Sequence, residues 1–169
     1  MALLPVLKDP DPRLREVSKL VEKFDDELKE FMASLLETMY HEQGIGIAAV
    51  QVGKLIRALI VDVPVERDRV KEQGSPIFVI NPVLTYLSEE RVILDEGCLS
   101  VRDADDSFVK GLVERPKSVT VEYQDLNGKS HILVVDGNNS NHELWLARCL
   151  QHELDHLNGK LFTEHVLAQ

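Results

Sequence analysis

The sequence predicts an α+β fold, with antiparallel β-sheets packed around a C-terminal helix and an amphipathic helix near the N-terminus. Three observations predict it. An apolar stripe of helical period comes early, a block of short β-branched runs follows, and a second capped helical stretch comes last. Helices set apart from a run of strands, rather than alternating with them, mark an α+β arrangement. With 169 residues, 44% of them hydrophobic, the chain carries enough apolar material for a core and reads as one domain over residues 1–169. No internal repeat, low-complexity tract or Gly/Ser/Pro-rich linker divides it.

The first helix is predicted over residues 25–41, where Leu28, Phe31, Met32, Leu35, Leu36 and Met39 recur at the three- and four-residue steps of a core-facing stripe. A glycine-rich segment, Gly44-Ile45-Gly46-Ile47-Ala48-Ala49-Val50-Gln51, follows it. Residues 57–63, 77–80 and 85–94 then offer β-branched runs bounded by Pro and Gly, the signature of strands. Val119, Val121 and Tyr123 alternate with polar neighbours, and Asn127-Gly128 leads into residues 132–135, which predicts an antiparallel hairpin. The last helix is predicted to begin at Ser140, which has capping-box spacing to Glu143, and to stop at Asn158-Gly159, a good left-handed cap.

Composition excludes several classes of function. Nineteen Lys and Arg against 29 Asp and Glu give a net charge of -10, opposite in sign to the footprint of a nucleic-acid binder. No apolar run approaches the roughly 20 residues that span a bilayer, and the N-terminus lacks a basic n-region, so a cytosolic protein is expected. Two cysteines, Cys98 and Cys149, are too few for a disulfide framework; each is a core thiol, a reactive thiol or a metal ligand.

One stretch has a direct chemical reading: His152-Glu153-Leu154-Asp155-His156 on the last helix. The four-residue step places both imidazoles on one face a turn apart, where they can grip one metal ion with Glu153 beside it. The bland alternative is a solvated face. Two histidines leave the site incomplete, so a third ligand is needed. Downstream, the metzincin third-histidine position holds Phe162, and Glu164 and His165 are poorly placed. Upstream, Cys98 in Glu96-Gly97-Cys98-Leu99-Ser100 would complete a Cys/His/His set, with a buried core thiol as the alternative that spacing leaves open. Cys149 lies on the metal-side face of the same helix, but three ligands from one rod strain a tetrahedral site, so it reads better as a packing thiol. Gly44-x-Gly46-x-x-Ala49 matches the dinucleotide fingerprint only in letters, because it follows a helix and precedes a strand. Its glycines are better suited to a loop running close to a ligand, with the Gln51 amide offered into the site.

These three segments, in this order, resemble the peptide deformylase family. The enzymes of that family remove the formyl group from the N-terminal methionine of newly made bacterial and organellar proteins. Residues 44–51 are similar to its G-x-G-[IL]-A-A-x-Q motif, residues 96–100 read E-G-C-L-S, and residues 151–156 read Q-H-E-x-D-H. The resemblance runs from Asp11-Pro12-Arg13-Leu14-Arg15 to Gly159-Lys160-Leu161-Phe162. It implies that Cys98, His152 and His156 hold one divalent metal ion, that Glu153 is the general base and acid, and that Gln51 and the Leu99 N–H meet the oxyanion. The metal it implies is Fe(II), with Zn, Ni or Co as substitutes, a choice that spacing alone leaves open. By the same resemblance the peptide lies beside Ile45 and Gly46, its methionine side chain in an apolar pocket. Trp145, Arg148 and Cys149 would contribute to that pocket, and Glu96 would pair with Arg115 behind the site. The implied partners are formylated nascent peptides met in transient contact with the ribosome, without direct nucleic acid or membrane binding, for a monomer in the bacterial cytoplasm.

The sequence also departs from the family pattern. The usual Pro after Ser100 is absent, Val101 being followed by Arg102, and residues 102–110 are longer and more acidic than expected at the rim of the site, a segment that either alters pocket access or substrate preference or is simply a solvated loop. Residues 137–143 look like a second insertion, and the basic C-terminal extension some members use at the ribosome is missing. Two other classes of function share part of the pattern. A zinc metallopeptidase of another architecture would keep the His pair and Glu153 but dispense with Cys98, and a non-catalytic metal binder would need neither Glu153 nor Gln51.

Overall fold

A computed structural model describes residues 2–65 and 74–167. It shows an α+β architecture of two helices, a five-stranded sheet and a two-stranded sheet, every strand pair antiparallel. The first helix, α1, spans Asp26–His41, as its apolar stripe predicts, and is capped by the Asp25 carboxylate accepting from Leu28 N. The glycine-rich segment after it contains a short strand, β1 (Gly46–Ala48), where a loop was expected. Burial explains the difference: all three residues lie between the helices, and pairing with β2 (Ala58–Val61) satisfies their backbone groups.

The runs expected at residues 77–80 and 85–94 are partitioned differently. Strand β3 is continuous over Ile77–Leu87, the chain reverses at residues 88–90, and β4 begins at Arg91 and runs to Arg102. Asn81-Pro82 does not end β3, because a bulge between Ile80 and Val83 absorbs it. Asn81 sits there with φ 51°, and its side-chain amide donates to Val21 O at 2.9 Å and to Gln124 Oε1 at 2.9 Å. Strand β4 pairs with β5 (Phe108–Pro116), and residues 102–110 form the end of this hairpin rather than a loose loop, with Arg102 opposite Phe108. The predicted hairpin is present as β6 (Val119–Gln124) and β7 (Ser130–Val135), and the larger sheet runs β1-β2-β3-β6-β7.

The second helix, α2, spans Asn141–Leu157. Ser140 Oγ accepts from Glu143 N at 3.1 Å, and the helix ends at Asn158 with Gly159 at φ 73°, both as predicted. Residues 137–143 are thus divided between a turn on Asp136 and the first turn of α2. Strand β2 is buried on both faces, which is why it reads as an unbroken apolar run. Leu59 and Val61 face a core with Leu146, Leu150 and Leu154 of α2, while Ala58 and Ile60 face Met32, Leu35 and Met39 of α1. A third cluster, Cys98, Val101, Val113, Leu161 and Phe162, seats the β4–β5 hairpin against the chain after α2. Among the described residues no helix is long and apolar enough to cross a membrane.

Candidate active site

Helix α2 presents His152 and His156 on one face with ring centroids 5.1 Å apart, and β4 brings Cys98 to meet them. The Cys98 Sγ lies 3.3 Å from His156 Nε2, and the three ligand atoms fall within 4.8 Å of one another. All three residues are buried. Of the two thiols the sequence offers, the structure brings Cys98 to the histidine pair. Cys149 turns toward β1, its Sγ 3.6 Å from Ile45 O, and burial pushes its thiol well above the ordinary range.

Behind the cluster stands Glu96. Its Oε1 lies 2.8 Å from His152 Nδ1, an arrangement that leaves Nε2 of that ring facing the centre. Arg115 donates to both oxygens of Glu96, at 2.6 and 3.0 Å, and to Asp155 Oδ2 at 2.8 Å. Arg148 donates to Glu96 Oε2 at 2.6 Å and to the carbonyls of Val113 and Val92. Burial opposes the charge on Glu96, but hydrogen bonds from His152 and Arg115 outweigh it and hold the carboxyl well below the usual carboxylate range. The resemblance pairs Glu96 with Arg115 alone. Arg148 and Asp155 as further members of this network were not anticipated, although both sit in or one turn before the H-E-x-D-H segment.

Glu153 is in the opposite condition. It is 4% exposed, its Oε2 has no hydrogen-bond partner, and burial raises its pKa to about 7. His156 Nδ1 is likewise buried without a partner, and burial pushes its pKa well below the ordinary value, which favours the neutral imidazole that metal coordination requires. A soft thiol, two imidazoles and an orphaned buried carboxyl oxygen beside them form a donor set that fits a divalent transition-metal ion.

Gln51 lies on the short 3-10 turn Ala49–Val52 that follows β1. Its Oε1 accepts from Ala48 N at 2.8 Å, so the amide nitrogen points the other way, donating to Ser100 Oγ at 3.1 Å and lying 3.6 Å from Cys98 Sγ. Leu99 follows Cys98 on β4 and lines a cavity beside the cluster, which the Gln51 side chain does not line. That cavity, about 390 Å³, is floored by His152 and Glu153 and walled by Ile45, Gly46, Trp145 and Cys149. Arg148 also lines it, with its terminal nitrogens committed to Glu96 and the two carbonyls. Gly46 is needed for the close packing of β1 on α2, since a Cβ there would lie 2.6 Å from Cys149 Sγ and 3.0 Å from Glu153 Cγ. Phe108 and Lys110, from the 102–110 segment expected at the rim of the site, also line the cavity.

The cavity and the Cys98/His152/His156 cluster beside it belong to a chain with many relatives of one family. A sequence model of the polypeptide deformylase family matches residues 3–169. The peptide deformylase of Brucella suis is 43% identical over 166 residues, covering 98% of this chain and 86% of the relative. Among solved structures, the Ehrlichia chaffeensis peptide deformylase in complex with actinonin has a TM-score of 0.83 at 40% identity, covering 99% of this chain and 90% of that one. The Acinetobacter baumannii peptide deformylase with Met-Ala-Ser bound has a TM-score of 0.84 at 32% identity, covering 97% of this chain and 98% of that one. The chain therefore belongs to the polypeptide deformylase family, metal-dependent hydrolases that act on N-formylmethionyl peptides.

Proposed function

We propose that this chain deformylates nascent polypeptides with Cys98, His152 and His156 as the metal ligands and Glu153, Gln51 and Leu99 at the reacting atoms. The observation that carries this reading is Glu153, a carboxyl with a buried, unpartnered oxygen and a pKa near 7, one residue from the histidine of a converged Cys/His/His set. Held by that set, a divalent ion supplies Lewis acidity at the formyl group. We take Fe(II) as the physiological ion, with Zn, Ni or Co as substitutes that the same donors accept.

Glu153 receives the proton of the water that attacks the formyl carbon and returns it to the departing amine nitrogen. A pKa close to working pH suits both transfers. The Gln51 amide and the Leu99 N–H donate to the oxygen on which negative charge develops, a kind of stabilisation worth about 3–4 kcal/mol per donor lost. Strand β1 lies at the edge of its sheet, so the backbone of Ile45 and Gly46 can take an extended peptide as an added strand. Trp145, Cys149 and the stem of Arg148 then enclose the first side chain, while Glu96 and Arg115 fix the His152 ring. The Acinetobacter relative has Met-Ala-Ser bound, a peptide that begins with methionine as the product of this reaction does. The substrate arises at the ribosome, so we place the protein in the bacterial cytoplasm with transient ribosome contact, and we take it to be a monomer.

The test is formate release from a formyl-Met tripeptide by protein purified without oxygen, with bound metal quantified in the same sample. Activity that decays in air with loss of iron supports the Fe(II) assignment; activity indifferent to air points to another ion. Glu153→Ala should retain the metal and lose at least about a hundredfold in kcat. A fully active Glu153→Ala protein would refute the mechanism.

A further inference from the structure

The β4–β5 hairpin ends in a feature that the deformylation chemistry leaves unused. Arg102 stands two residues after Ser100, and its side chain gathers four groups. Its Nε donates to Leu99 O at 3.3 Å, its Nη1 donates to Asp106 O at 3.1 Å, and its Nη2 lies 3.6 Å from Glu42 Oε2 at the end of α1. Its guanidinium carbon sits 3.9 Å from the centroid of the Phe108 ring. The tip is further ordered by Asp103, whose Oδ1 accepts from the N–H groups of Asp105 and Ser107.

Arg102 therefore ties the hairpin end to both walls of the cavity, one carrying Leu99 and the other following α1 through Gln43 and Gly44. A guanidinium stacked on an aromatic ring fixes that ring in place. The fixed ring belongs to Phe108, which lines the cavity and is still 44% exposed. A large apolar surface held immobile at a cavity mouth is a recognition surface, since the cost of ordering it is met before any ligand arrives. The floor of the cavity is the reacting centre, so Phe108 at its rim meets the part of the peptide that follows the formylated residue.

We propose that Phe108, positioned by Arg102, is a specificity-determining wall that selects formyl peptides with apolar side chains after the initiating methionine. The proposal rests on the deformylase reading. Phe108 contacts the peptide, and Arg102 acts through Phe108 as a positioning residue.

The experiment compares formyl-Met-Leu-Leu with formyl-Met-Ser-Ser as substrates of the metal-loaded protein. In the wild-type chain the apolar peptide has the higher kcat/KM. Phe108→Ala lowers the ratio of the two kcat/KM values about fivefold, through KM of the apolar peptide, at unchanged kcat. Phe108→Leu, which keeps apolar bulk, restores most of the ratio. Arg102→Ala lowers the ratio in the same direction although the Phe108 side chain itself is retained, because the ring is no longer positioned. A ratio unmoved by Phe108→Ala, or equal losses on both peptides, overturns the proposal while deformylation itself stands. Formate from neither peptide in the wild-type protein overturns the deformylase reading and this proposal with it.

Discussion

Gly46 shows how little room the site has. The close approach of β1 to α2 leaves no space for a methyl group at this position, because Cys149 Sγ and Glu153 Cγ already fill it. Gly46→Ala should therefore lose most activity, and Cys149→Ala in the same chain should recover part of it by removing the nearest atom. Steady-state kinetics on the single and double variants checks this. Glu96 makes a second prediction at the same scale. Its two carboxylate oxygens hold Arg115, Arg148 and His152 together in a buried network. Glu96→Gln removes the charge that the two guanidinium groups share, and the loss of a buried ionic partner should cost about 3–5 kcal/mol in a denaturant titration. The His152/His156 pair and Glu153 were legible in the sequence because their spacing is local. Of the network behind them only the Glu96–Arg115 pair was expected, through the resemblance; Arg148 lies 52 residues from Glu96 and only the folded hairpin brings them together.

The elements were legible wherever a terminal signal accompanied the pattern. Ser140 and Gly159 bound α2 as their residue types require, and Asp25 plays the same part for α1 although only the stripe announced that helix. Ser140→Ala should cost about 1 kcal/mol by withdrawing the acceptor for Glu143 N, measurable as a lower urea midpoint at unchanged slope. The strands were harder. Asn81-Pro82 has the look of a chain break, yet the Asn81 amide bridges residue 21 and strand β6 and carries β3 through it. Residues 102–110, rich in acidic groups, suggested a solvated loop. Their order comes from Arg102 and from the Asp103 turn, neither of which has a short sequence signature.

In the whole molecule, two separate sheets meet at one small cluster. The larger sheet is clasped between α1 and α2, while the β4–β5 hairpin has its own apolar cluster with Leu161 and Phe162. Removal of the ion by a chelator should lower the melting temperature, because coordination free energy is folding free energy for the state that binds. Backbone amides of β4 and β5 should gain hydrogen exchange first, ahead of β2 and β3; uniform acceleration across the chain would contradict this. The architecture explains the order. Cys98 comes from the hairpin and both histidines from α2, so an ion held by all three works as a rivet between two layers whose ligands lie as far as 58 residues apart. Leu99 follows Cys98 on that hairpin while Gly46 packs on α2, so under the proposed ligand set loss of the ion would loosen the seam between the two cavity walls and silence the chemistry in a single event.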